Sequence, residues 1–174
     1  MLTAAQMIQQ LGLAPLPGEG GYYAETYRSI EAWTGQPDGP RWLSTAIYYL
    51  LTDDPDSFSA MHRLKGVEVY HFYLGDPVEM LLLDPSGGAR QLILGQDLAA
   101  GQRVQFAVPG GTWQGSRLLP GGRFALMGTT MAPGFDPRDN EFGHPGHLAR
   151  LYPAWSAQIR GLTRPGTVGE PDRT

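Results

Sequence analysis

Between Tyr22 and Met131 the chain breaks into about nine short runs of aliphatic, aromatic and β-branched residues, with no helical period between them. The runs are Tyr22–Ser29, Trp42–Leu51, Phe58–Leu64, Val67–Leu74, Val78–Leu83, Ala89–Leu94, Arg103–Val108, Thr112–Leu118 and Phe124–Met131. The breaks carry turn chemistry: Lys65-Gly66, Gly75-Asp76-Pro77, Asp84-Pro85-Ser86-Gly87-Gly88, Pro109-Gly110-Gly111 and Pro120-Gly121-Gly122. Many short strands joined by tight turns restrict the chain to an all-β sandwich, jelly roll or barrel. Outside this region, Thr3 and Gln6 have capping-box spacing, and Met7 and Leu11 share a face, which predicts one short helix over 3–11 that stops at Gly12. From Pro133 the pattern is irregular, with a short terminal helix expected within Leu148–Arg160. Residues 1–160 read as one domain and 161–174 as a tail expected to fray.

Charge and composition narrow the partners. The net charge is −4 and Lys and Arg do not cluster, so neither nucleic acid nor an anionic membrane is an expected partner. With no cysteine, thiolate metal sites and disulfides are excluded. The first residues lack the basic-then-apolar pattern of a secretory leader, and no apolar run approaches the ~20 residues of a membrane span, so a cytoplasmic location is expected.

The chemistry concentrates in two segments. In the first, His62 ends one strand and Glu68 begins the next after a tight turn; a hairpin of that length would turn both side chains to one interior. His71, three residues beyond Glu68, falls on the opposite face, where a packing or subunit-contact role is expected unless a bulge re-aims it as a base. In the second segment, Pro109-Gly110-Gly111-Thr112-Trp113-Gln114 follows another strand. His62, Glu68 and Gln114 would then meet inside the molecule, either as a hydrogen-bonded cluster or around a ligand. By period two, Tyr23, Glu25 and Tyr27 share a face, and Glu25 between tyrosines is a candidate ligand contact or acid. Tyr48, Tyr73 and Trp113 are candidates for stacking on a flat ligand, although strand aromatics more often form core. His144-Pro145-Gly146-His147 is expected to be a loop, and Asp53-Asp54-Pro55-Asp56 a solvated turn lacking the Gly and Glu of a calcium loop.

The spacing from His62 to Glu68 to Gly75, and the Pro-x-Gly-x-x-Gln at 109–114, resemble the two cupin motifs in their usual order. More of the chain is similar to the type-five family of small cupins, mostly of unknown function. The shared stretches are Glu19-Gly20-Gly21-Tyr22-Tyr23, His62-Arg63-Leu64 with His71-Phe72-Tyr73, Pro109–Gln114 and Ala132-Pro133-Gly134-Phe135. The resemblance implies a double-stranded β-helix, the cupin jelly roll, with a short N-terminal helix and an irregular C-terminal arm, and it implies a homodimer. It departs from the full motif where Leu64 and Gln114 stand in histidine positions, and where Leu16-Pro17-Gly18 replaces a His-Pro before Glu19. No cofactor is firmly expected; if a divalent metal binds, His62, Glu68 and Gln114 are its ligands. The resemblance to metal-free sugar epimerases of the superfamily implies a small polar metabolite in the barrel, with His62 as base, Glu68 as its orienter and a tyrosine as acid. The alternatives are a metal-dependent oxygenase or isomerase and a non-catalytic binding module.

Overall fold

The computed structural model describes residues 2–35 and 39–164. Helix α1 (Ala4–Leu11) starts at the expected capping box, with the Thr3 side chain accepting from the Gln6 amide, and ends at Gly12 in the left-handed region. Thirteen strands follow: β1 (Ala14–Pro15), β2 (Tyr22–Arg28), β3 (Ala32–Trp33), β4 (Arg41–Trp42), β5 (Thr45–Thr52), β6 (Ser59–Leu64), β7 (Glu68–Gly75), β8 (Val78–Leu83), β9 (Ala89–Leu94), β10 (Gln105–Val108), β11 (Trp113–Leu118), β12 (Phe124–Met131) and β13 (Asn140–Phe142). They form a six-stranded sheet in the order β1-β2-β5-β12-β7-β10 and a five-stranded sheet in the order β13-β6-β11-β8-β9, all antiparallel; β3 and β4 make a separate small arm. From β5 to β8 and again from β9 to β13, successive strands alternate between the two large sheets. This is the jelly-roll path, and its sheets face each other across one core.

Alternation along each strand separates inside from outside. The inward set of Tyr49, Leu51, Tyr70, Phe72, Met80, Leu82, Ala125 and Met127 packs between the sheets. On the outer face of the larger sheet, α1 brings Met7 against Leu50, Phe124 and Leu126. On the outer face of the smaller sheet lie α2 (Pro145–Leu151) and α3 (Ser156–Gly161), which seat Leu148, Ile159 and Leu162 on Leu81, Leu83 and Trp113.

Three expectations are corrected. His62 and Glu68 are not joined by a hairpin: the turn at Lys65-Gly66-Val67 carries the chain from the smaller sheet into the larger one, so the two side chains approach from opposite walls. The 144–147 segment is the start of α2 rather than a loop. Pro145 occupies the first helical position, where its missing N–H costs nothing, and His144 Nδ1 accepts from the His147 amide. The tail begins later than expected: Leu162 is buried, its carbonyl accepts from the Met61 amide at 2.7 Å, and Arg164 lies over the Phe58 ring at 4.1 Å. The remainder of that tail, 165–174, is outside the described residues. Among the described residues, no helix is long and apolar enough to cross a membrane.

Candidate functional site

The two motif turns pack on each other, and this contact sets the site. Gly110 lies so close to the preceding corner that a Cβ there would come 2.1 Å from the Lys65 carbonyl oxygen, and the Gly111 amide donates to the Leu64 carbonyl at 2.7 Å. Only glycine permits that approach. From this anchor β11 runs beside β6 with Gln114 opposite His62. Glu68, at the start of β7 on the other sheet, faces both.

The resulting chain of hydrogen bonds is buried: His62, Glu68 and Gln114 are 2%, 7% and 1% exposed. His62 Nδ1 donates to the Ala60 carbonyl at 2.8 Å, which leaves Nε2 as an acceptor. The Gln114 amide nitrogen donates to Glu68 Oε2 at 2.6 Å and reaches His62 Nε2 at 3.3 Å. Gln114 Oε1 is then buried with no partner. The imidazole is therefore oriented by a backbone carbonyl and an amide, not by Glu68 as expected, because Glu68 lies beyond Gln114. Burial pushes the Glu68 carboxyl above its ordinary pKa; the His62 ring opposes this, nearby Glu19 adds to it, and donors from Thr129 and Gln114 oppose it. Burial likewise raises Tyr70, next to Glu68, and Tyr49, whose hydroxyl donates to the Gly20 carbonyl at 3.0 Å.

His62, Glu68, Tyr49 and Tyr70 line a cavity of about 280 Å³ between the sheets, walled also by Glu19, Tyr23, Glu25, Arg28, Ile47 and Asn140; Gln114, a candidate ligand contact, stands behind His62 and Glu68 and not at its wall. Glu25 is at the wall as a partner of Arg28, which it accepts from at 2.8 Å. It does not share a face with Tyr27: a bulge between Glu25 and Tyr27 in β2 turns Tyr27 outward, where it is 54% exposed. The other aromatic candidates lie outside the cavity. Tyr48, His71 and Tyr73 sit on the outer face of the larger sheet, His71 stacked on Tyr73 at 6.5 Å and Tyr73 edge-on to Tyr48 at 6.1 Å. His71 is held there by Gln105 and Thr130. Trp113 is on the outer face of the smaller sheet, beneath the Arg63 guanidinium at 4.6 Å.

Glu19 is a pocket residue that pattern reading passes over. It lies in the Pro- and Gly-rich loop before β2, where no periodicity points a side chain anywhere. Ser59 Oγ donates to its Oε1 at 2.8 Å, and its Oε2 stands 3.9 Å from His62 Nε2. The signal available was its place in the Glu-Gly-Gly stretch: Gly20 and Gly21 both have positive φ, and the Glu19 carbonyl accepts from the Ala60 amide at 2.8 Å, pinning the loop beside His62.

A family model described as cupin superfamily (DUF985) matches residues 5–143. The chain belongs to the cupin superfamily. This cupin is 33% identical over 139 residues to an uncharacterized protein of Saccharomyces cerevisiae, YML079W, covering 71% of this chain and 67% of that one. Among solved structures it is similar to a hypothetical protein from Leishmania major (32% identity, TM-score 0.85, 94% of this chain and 100% of that one). It is similar also to protein SO0799 from Shewanella oneidensis (36% identity, TM-score 0.84, 95% and 99%). A dTDP sugar isomerase from Desulfovibrio desulfuricans, at 15% identity and TM-score 0.53 over 83% of this chain and 96% of that one, shares the fold.

The residues present do not fit the three-His, one-Glu metal centre of full cupins. Leu64 offers no donor, and Gln114 turns its amide nitrogen rather than its oxygen toward His62 and Glu68. Among the described residues, no group of three or more His, Asp or Glu side chains is arranged to hold a metal ion.

Proposed function

We propose that this cupin binds a small polar metabolite in the cavity between its sheets and acts on it as a sugar-type isomerase or epimerase without a metal. The observation that carries the reading is the buried relay from the Ala60 carbonyl through His62 and Gln114 to Glu68, opening on a cavity of about 280 Å³. An imidazole fixed with Nε2 unprotonated becomes a base when a substrate displaces the Gln114 amide from it: it takes a proton from a carbon next to a carbonyl, and the positive ring that forms lies 3.9 Å from Glu19. Return of a proton on the other side of the substrate needs an acid. Tyr70, held protonated by its burial and by the neighbouring Glu68, and Tyr23 line the same cavity and are the candidates for it. The shared fold with a dTDP sugar isomerase supports the chemistry by analogy only.

The test is His62→Ala against a panel of sugars, followed by exchange of carbon-bound hydrogen with deuterated solvent. The wild-type protein should exchange one such hydrogen in a bound sugar, and the variant should not. Exchange at the wild-type rate in His62→Ala overturns the assignment. A ligand that binds with no exchange in either protein favours the second reading, a binding module, which the contact of Gln114 with Nε2 would suit.

A further inference from the structure

The polar groups that this cavity leaves open are acceptors. Glu19 uses Oε1 for Ser59 and turns Oε2 toward His62 Nε2 at 3.9 Å, and that Nε2 is met by the Gln114 amide only at a long 3.3 Å. The charges agree. Three carboxyl groups, Glu19, Glu25 and Glu68, line the wall, and beside His62 the single basic lining residue is Arg28, already bound to Glu25 through both of its carboxylate oxygens. An anionic ligand beside Glu19 and Glu68 is costly. Size points the same way. About 280 Å³ lies at the lower end of ligand cavities, near ~300 Å³, which is room for one sugar ring.

We infer that the ligand is a single-ring polyhydroxy compound without negative charge, a free sugar or its amino derivative, and that phosphorylated, carboxylated and nucleotide-linked sugars are rejected. A ligand hydroxyl takes the place of the Gln114 amide on His62 Nε2, and a hydroxyl or ammonium group meets Glu19 Oε2. Glu19 is thus a specificity-determining residue. Its carboxylate rewards a donor and repels an anion, whereas a phosphate-binding pocket would present arginine forks or a run of backbone N–H groups at that position.

This inference rests on the proposed function, and its test separates the two. The intact protein is titrated with matched sets, namely glucose, galactose and mannose, their amino sugars and their sugar phosphates, and binding is read by calorimetry and by saturation-transfer NMR. At least one free or amino sugar is expected to bind in a manner lost in His62→Ala, with the matching phosphate weaker by at least about tenfold. Glu19→Gln, which keeps a polar group for Ser59, is expected to erase most of the preference for the amino sugar over the free one. The wild-type ranking decides the matter even where a variant does not fold. A sugar phosphate that binds as tightly as its parent, and needs His62, overturns the inference and leaves the pocket reading standing. Absence of any His62-dependent binding across the sets overturns both.

Discussion

Replacing Gln114 by Leu removes the bridge of the relay while nearly keeping its volume. Two donations are lost. The short one to Glu68, 2.6 Å and fully buried, belongs to the charge-assisted class, worth roughly 1.5–3 kcal/mol. The longer one to His62, at 3.3 Å, is worth about 0.5 kcal/mol. Leu also removes the unpartnered Oε1, which returns about 1 kcal/mol. The expected net loss is about 2 kcal/mol where Glu68 is ionised, a fall in Tm of roughly 4–8 °C for a chain of this size. The pH dependence is the discriminating part. Gln114 holds the raised Glu68 carboxyl down, so the variant's Glu68 titrates still higher. A folded pKa above the ordinary 4.5 means that the native state keeps its proton longer than the unfolded chain, so stability falls as pH rises between the two values. The variant's window is wider, and the gap between the two proteins opens with rising pH and closes below both titrations. Urea melts from about pH 4 to about pH 9 read this directly. A deficit of the same size at every pH, or none at the alkaline end, refutes the donation from Gln114 to an ionised Glu68.

Three further perturbations test other parts of the account. Glu68→Gln should flatten the decline in wild-type stability that begins as pH rises past 4.5, measured by the same melts, because the group whose burial creates it is gone. The double variant Leu64→His with Gln114→His should take up one equivalent of Mn, Fe, Ni or Zn that survives desalting, while wild-type protein treated alike does not; elemental analysis decides. Gly110→Ala must push the Lys65 carbonyl away from a Cβ at 2.1 Å, so a loss of about 2 kcal/mol in thermal unfolding is expected, with weakened ligand binding as Gln114 is carried away from His62.

The strands were legible because their inward and outward residues alternate. Parity alone puts Glu68 inside and His71 outside, and both lie where parity puts them. The same rule, applied to β11, separates Trp113 from Gln114; reading Trp113 as a ligand contact ignored that neighbouring residues face opposite ways. Which sheet a strand joins was not legible. Lys65-Gly66-Val67 is short enough for a hairpin or for a corner between sheets, and no local feature distinguishes them; only the partners β11 and β12 do. The bulge that separates Tyr27 from Glu25 adds one residue without a Gly or Pro to mark it. Glu19 escaped for a different reason: its position comes from a loop pinned by long-range hydrogen bonds to Ser59 and Ala60, about forty residues away, which no period records.

The relay itself is most directly read from the His62 ring nitrogens in a long-range proton–nitrogen NMR spectrum, assigned by comparison with His62→Ala. A ring held by Ala60 on one side and Gln114 on the other should show its proton on Nδ1, with Nε2 bare and the Nδ1 proton slow to exchange with water. A ring protonated on Nε2, or one that exchanges as freely as an exposed histidine, would contradict the account.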